Sequence, residues 1–300
     1  MRTLLVTLSL LLTYYQAIGQ EIDSDTVYQS YGKLYRLYLA NAPFPAAERA
    51  QGHTYNGKFY PAQEHYSDST ALVFVPRRFQ TSREIDLVIY FHGWYNNVDS
   101  VLAQFNLINQ FVQASKNAIL ILPQGPKNAP DSHGGKLEKA GIFAAFVNEV
   151  LLKLSNEKVI RGNPKIGTVV LAGHSGAYRV IAHILMHGGL EVKEVYLFDG
   201  LYGQFEKFIL WIDRNKLGRF IAITSPAEGG TEQQSMEMMT VMKAWRIPFA
   251  SFKEIDASLT ELEKHRVVFI QSMLGHNEVV STGNALYKCL VTSGNLKDLN

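Results

Sequence analysis

The run Gly173-His174-Ser175-Gly176-Ala177 carries the clearest chemical signal in this 300-residue chain. β-Branched and apolar residues, Thr168 to Ala172, lead into it, and Tyr178 to His187 follow with helical character. A strand that enters a tight turn and leaves as a helix brings two backbones close together, which small residues at Gly173, Gly176 and Ala177 permit. Such a turn lifts the Ser175 hydroxyl above the strand end, at the positive end of a helix. A serine hydroxyl is a poor nucleophile until a base takes its proton. His276, in Ser272-Met273-Leu274-Gly275-His276-Asn277, is the expected base, on a short loop between a strand and a helix. The other histidines are worse placed. His92 is expected to be structural in its loop, His174 points away from the serine, and His183 and His187 lie on the following helix. His133 is a weaker rival. The base needs a carboxylate to fix its tautomer. Asp199 ends the apolar run Glu194–Phe198, where a carboxylate is costly unless it has a partner, and it is the preferred acid. Glu228, in Ser225-Pro226-Ala227-Glu228, is its rival.

These residues need a frame that gathers them. Strands are expected at Ala71–Val75, Ile85–Phe91, Ala118–Leu122, Lys165–Ala172, Glu194–Phe198, Arg219–Thr224 and Arg266–Gln271. Helices are expected at Val98–Ser115, Lys136–Leu154, Gly176–His187, Gln204–Asn215, Thr231–Trp245 and Glu278–Leu290. Strands apolar on both faces imply a mostly parallel twisted sheet, about seven to eight strands, covered by helices on both faces. Sites in such α/β sheets form at the carboxyl ends of the strands. Residues 20–69 read as an irregular segment packed on a single domain that spans 20–300. Within it, residues 41–68 are rich in aromatic residues and are expected to cover a sheet edge, with walling the pocket as the alternative.

The motifs His92-Gly93-Trp94-Tyr95-Asn96-Asn97, Gly173-His174-Ser175-Gly176-Ala177 and Gly275-His276-Asn277, in this order and context, resemble the α/β-hydrolase superfamily over roughly residues 70–291. The resemblance implies an acyl-enzyme on Ser175, with His276 as base and Asp199 or Glu228 as acid. It also implies an oxyanion hole from the Trp94 and Gly176 N–H groups, with Gly93 letting the backbone approach. An acid after the sixth strand is similar to the pancreatic-lipase branch, and Ala177 departs from G-x-S-x-G at its last position. The expected activity is hydrolysis of a carboxylic ester, with a small-molecule, glycan or lipid ester as substrate. Amide hydrolysis, acyl transfer and non-catalytic glycan or peptide binding are the alternatives. His92, Tyr95, His133, Tyr178, Arg179 and Tyr202 are candidate substrate contacts. The long loop from Pro123 to Lys136 is a further candidate for shaping the pocket.

Composition narrows the classes. The chain is 47% hydrophobic and 19% charged, with a formal net charge of +2. Nothing in that balance points to nucleic acid. Arg2, the apolar run Leu4–Leu12 and Ala17-Ile18-Gly19 read as a secretory signal peptide, residues 1–19. The run is too short to span a bilayer of about 30 Å, so no transmembrane segment is expected. Export without a possible internal disulfide, since Cys289 stands alone, suits a secreted or periplasmic bacterial protein. There is no H-E-x-x-H, no cysteine pair and no P-loop, so neither metal nor cofactor is expected. Oligomeric state is not legible.

Overall fold

The computed structural model describes residues 23–25, 27–226 and 230–299. The expected leader and Glu228 lie outside the described residues. Strands are β1 (Asp23–Asp25), β2 (Gly32–Tyr38), β3 (His53–Tyr55), β4 (Lys58–Tyr60), β5 (Thr70–Pro76), β6 (Glu84–Phe91), β7 (Ala118–Pro123), β8 (Lys165–His174), β9 (Glu194–Phe198), β10 (Arg219–Thr224), β11 (Ala250–Lys253) and β12 (Val267–Gln271). Among the described residues, ten of them form one sheet, ordered β1-β2-β5-β7-β6-β8-β9-β10-β12-β11. The run from β7 to β11 is parallel, while β1, β2 and β5 pair antiparallel at one edge.

Ten strands exceed the expected seven to eight. The additions are β1 and β2, from the stretch read as irregular, and β11. In β2 polar Lys33 and Arg36 interrupt the apolar run, although Leu34 enters one core layer and Tyr35 and Leu37 the other. The four-residue β11 alternates half-buried and exposed positions at the opposite edge, too short for a period to show.

Central strands are buried on both faces, with period two. In β6, Leu87, Ile89 and Phe91 enter one core layer, and Val88 and Tyr90 enter the other. Helices Ile142–Asn156, Tyr178–His187 and Phe205–Arg214 cover the first layer. Helices Val98–Gln104, Leu107–Gln113 and Ala285–Val291 cover the second. The stretch Val98–Ser115 is therefore two helices, broken where Asn106 takes φ 50°, a conformation asparagine tolerates. Lys136–Leu154 is shortened to start at Ile142, because Gly141 sits at φ 74° and cannot continue a helix. The last helix is likewise shortened, with turns up to Asn284 at φ 49°.

Register then places the site. Phe91 pairs with Gly173, His174 with Phe198, Phe198 with Ile223, and Thr224 with Gln271. The loops that begin at His92, Ser175, Asp199, Ser225 and Ser272 thus leave from one edge of the sheet.

Candidate active site

β8 ends in a single tight turn, Ser175–Ala177, and the helix starts at Tyr178. Ser175 sits at φ 56°, a left-handed conformation that costs a residue with a side chain on the order of 1 kcal/mol or more and occurs where structure imposes it. The crowding is measurable at the glycines. A Cβ on Gly173 would lie 2.7 Å from both Ala177 Cβ and Ile181 Cδ1. One on Gly176 would lie 2.5 Å from Trp94 Cδ1, and one on Gly93 would lie 2.5 Å from Ser175 Cβ and 2.9 Å from the His174 carbonyl oxygen. The loop after β6 therefore presses its backbone directly against Ser175. Gly93→Ala is expected to push that loop off the turn and to lower turnover about 100-fold, because displacements near 1 Å carry such costs. Hydrolysis kinetics of the folded variant check this; unchanged kcat would show that the loop can give way.

Asp199 and His276 meet across 77 residues of sequence, with His276 Nδ1 2.5 Å from Asp199 Oδ2. Asp199 is 1% exposed. Its carboxylate also accepts from Ser225 N–H at 2.9 Å, Ser225 Oγ at 2.6 Å and Thr231 Oγ1 at 2.5 Å. Burial by itself would raise its pKa, but the hydrogen bonds from His276, Ser225 and Thr231 outweigh burial and hold it at about 2. An ionised Asp199 faces Nδ1, so Nδ1 carries the proton and Nε2 is left as the ring's acceptor. Sequence reading missed Ser225 and Thr231. Their type is ordinary, and only the approach of three loops gives them this role.

The loop after β6 is locked to the loop after β7. His92 Nδ1 donates to the Gly93 carbonyl at 2.8 Å, and its Nε2 accepts from Gly125 N–H at 3.0 Å. Tyr95 N–H donates to Ala129 O at 3.0 Å, and Trp94 Nε1 donates to Ser132 Oγ at 2.8 Å. Among the described residues nothing accepts the backbone N–H of Trp94. The hairpin β3–β4 joins here, with the Tyr55 ring 5.1 Å from that of Trp94 at 73°. Residues 53–60 therefore flank this loop rather than cover a sheet edge.

The other candidates divide into two groups. Tyr202 packs edge-on to the His276 ring at 6.3 Å, and Tyr178 lies 6.2 Å from Tyr202. Burial, with Asp199 nearby, raises the Tyr202 hydroxyl to about 12, so it stays protonated. Tyr95 is 57% exposed beside Trp94. Three candidates are instead committed to internal bonds. Arg179 holds Glu138 through Nε at 2.8 Å and Nη2 at 2.9 Å, which removes it as a free cation for substrate. His133 is buried and accepts from Gly135 N–H at 2.9 Å. His92 has both nitrogens occupied, as described. Cys289 is fully buried, and burial raises its thiol to about 12, which makes it inert.

Buried imidazoles make stability pH-dependent. Burial lowers His92 to about 4 and His174 to about 3, against an ordinary 6.5. Below about pH 6.5 the unfolded chain takes up protons at both rings while the folded chain does not, so stability falls as pH falls. Asp199 adds to this loss from about pH 4 toward 2, where its folded carboxylate finally protonates. Each histidine costs roughly 2 kcal/mol by pH 4.5. Urea unfolding at pH 7.5 and 4.5 measures the difference; equal midpoints would mean these rings are charged or exposed.

No group of three His, Cys, Asp or Glu side chains among the described residues is arranged to hold a metal ion. No helix among them is long and apolar enough to cross a membrane. No protein-family model matches the sequence, and no curated protein matches it either. Solved structures are similar in fold. A feruloyl esterase module from Clostridium thermocellum superposes with a TM-score of 0.52 at 11% identity, covering 77% of this chain and 85% of that one. An S-formylglutathione hydrolase from Agrobacterium tumefaciens gives 0.51 at 11% identity, covering 90% and 98%. A ferulic acid esterase gives 0.50 at 12% identity, covering 74% and 90%. Together with the mostly parallel sheet and the strand–turn–helix at Ser175, these likenesses show that the chain has the fold of the α/β-hydrolase superfamily.

Proposed function

We propose that this protein is an exported serine hydrolase that cleaves carboxylic esters, with Ser175, His276 and Asp199 as its catalytic triad. The carrying observation is the Asp199–His276 contact at 2.5 Å, on the sheet edge where Ser175 stands in its strained turn. His276 Nε2 takes the Ser175 proton as Oγ attacks the ester carbonyl carbon. The Trp94 and Gly176 N–H groups receive the charge that develops on the carbonyl oxygen. Collapse breaks the bond to the alcohol, which leaves with the proton from His276. Water then attacks the acyl-enzyme, His276 takes its proton, and Ser175 is released with the free acid. Asp199 keeps the ring in the productive tautomer throughout. Export follows from the leader reading of residues 1–19.

The rings of Tyr55, Trp94, Tyr178 and Tyr202 beside the site favour substrates with a flat aromatic or sugar face. Hydroxycinnamate esters are the first to test, given the feruloyl esterases among the similar structures. Fluorophosphonate treatment followed by mass spectrometry tests the chemistry itself. Stoichiometric labelling confined to the Ser175 peptide, and absent from Ser175→Ala, is the expected result. A folded protein that stays unlabelled would sink the reading.

A further inference from the structure

His174 stands inside the turn, one residue before the nucleophile, and the mechanism above does not use it. It is 1% exposed, yet it is polar and only partly satisfied. Its Nε2 lies 3.0 Å from the backbone carbonyl oxygen of His276, and its ring lies 4.4 Å from the His276 ring at a 40° tilt. A carbonyl only accepts, so Nε2 carries the proton and Nδ1 is a bare acceptor. That Nδ1 is buried with no hydrogen-bond partner, and the nearby ring of Phe105, 5.1 Å away, offers it none. An apolar ring would fill the same space without an unpaired nitrogen, so the Nε2–H bond is the feature that a histidine adds here.

We propose that His174 is a positioning residue, a neutral imidazole whose Nε2–H anchors the main chain of His276 and so sets the His276 ring against Asp199. The assignment rests on the reading of His276 as the base. The loop it anchors, Ser272 to Asn277, is otherwise held at its start, where Ser272 N–H donates to the Thr224 carbonyl at 2.9 Å, and through the His276 side chain on Asp199. Leu274 N–H donates to Ser272 Oγ at 3.0 Å, and Gly275 N–H donates to Glu278 Oε2 at 2.9 Å. Both bonds are internal to the loop and the turns after it. Ser272 Oγ also bonds Glu254, at the start of the loop. Among the described residues, the His174 bond is the tie from the sheet to the main chain of His276. The groups facing His174 are consistent with a neutral ring. His276 opposes a charge on it, Asp199 favours one, and burial outweighs both. Neutrality matters mechanistically, because His276 becomes an imidazolium during each turnover and a second cation stacked on it would oppose that step.

The test compares His174→Gln with His174→Met in the full-length protein. The two side chains have nearly the same length, and only the amide can donate to the His276 carbonyl from the Nε2 position. Its oxygen replaces an acceptor that is already unpaired. Two readouts are taken: the rate of fluorophosphonate labelling at Ser175, and the downfield proton resonance of His276 Nδ1–H. His174→Gln is expected to keep the resonance and to label within a few-fold of the parent. His174→Met is expected to label roughly ten- to a hundredfold more slowly and to lose the resonance or shift it upfield, at a matched melting temperature. Equal behaviour of two folded variants overturns the proposal. If the methionine variant does not fold, the glutamine variant decides: a folded glutamine variant without the resonance overturns the proposal as well. Failure of the hydrolase reading shows separately, as a parent protein that is never labelled while the resonance still responds to the two substitutions.

Discussion

Ser175→Ala is expected to lower kcat for ester hydrolysis about 10⁴- to 10⁶-fold while the protein stays folded. The size follows from the chemistry, since alanine leaves the base and the oxyanion donors with nothing to activate. Stability should hardly change. Both residues carry a Cβ, so alanine inherits the strain of φ 56° and relieves none of it. Ser175→Gly separates the two effects. It removes the same nucleophile but is at ease in a left-handed conformation, so it should raise stability by about 1 kcal/mol with the same loss of turnover. Hydrolysis rates and thermal melts of the three proteins check both parts. Retention of most of the activity in either variant would take Ser175 out of the mechanism.

Asp199→Asn should be nearly as damaging, with kcat reduced about 10⁴-fold. An amide can present N–H to Nδ1, which favours the tautomer with Nδ1 bare and the proton on Nε2, where it cannot act as a base. The substitution also weakens the acceptor for Ser225 and Thr231, and a stability loss of about 1–3 kcal/mol is expected. Glu228→Gln is the control, because Glu228 follows the next strand and is the other acid within reach of the sequence argument. It should leave kcat within about twofold, because the carboxylate that meets the His276 ring is that of Asp199. If Glu228→Gln alone is crippled, the carboxylate that serves catalysis is not the one hydrogen-bonded to His276 in this structure.

Much of the fold was legible in the chain, for local reasons. The seven expected strands are all present, because strands buried on both faces are continuous apolar runs, and a single window of residues shows that. The turn at Ser175 was legible because its small residues are contiguous. Helix breaks were less so. Asn106 interrupts a pattern that is apolar on both sides of it, and the periodicity alone does not register the break.

The site divides along the same line. Ser175 and His276 could be named from their own neighbourhoods, each at the end of an expected strand. Asp199 was preferred over Glu228 because a carboxylate that ends an apolar run needs a partner, but its partners were not legible, since they come from loops 26 to 77 residues away. The donors Ser225 and Thr231 are unremarkable until they point at one carboxylate. The partner of Arg179 was not legible in sequence because its counter-ion Glu138 lies 41 residues earlier, in the segment after β7. His174 looked idle for a similar reason: its partner is a main-chain carbonyl 102 residues later. Residue type and spacing along one strand and one turn set which groups could do chemistry. Which of them are turned toward substrate and which toward each other depends on sheet register, and register is a property of chain segments distant in sequence.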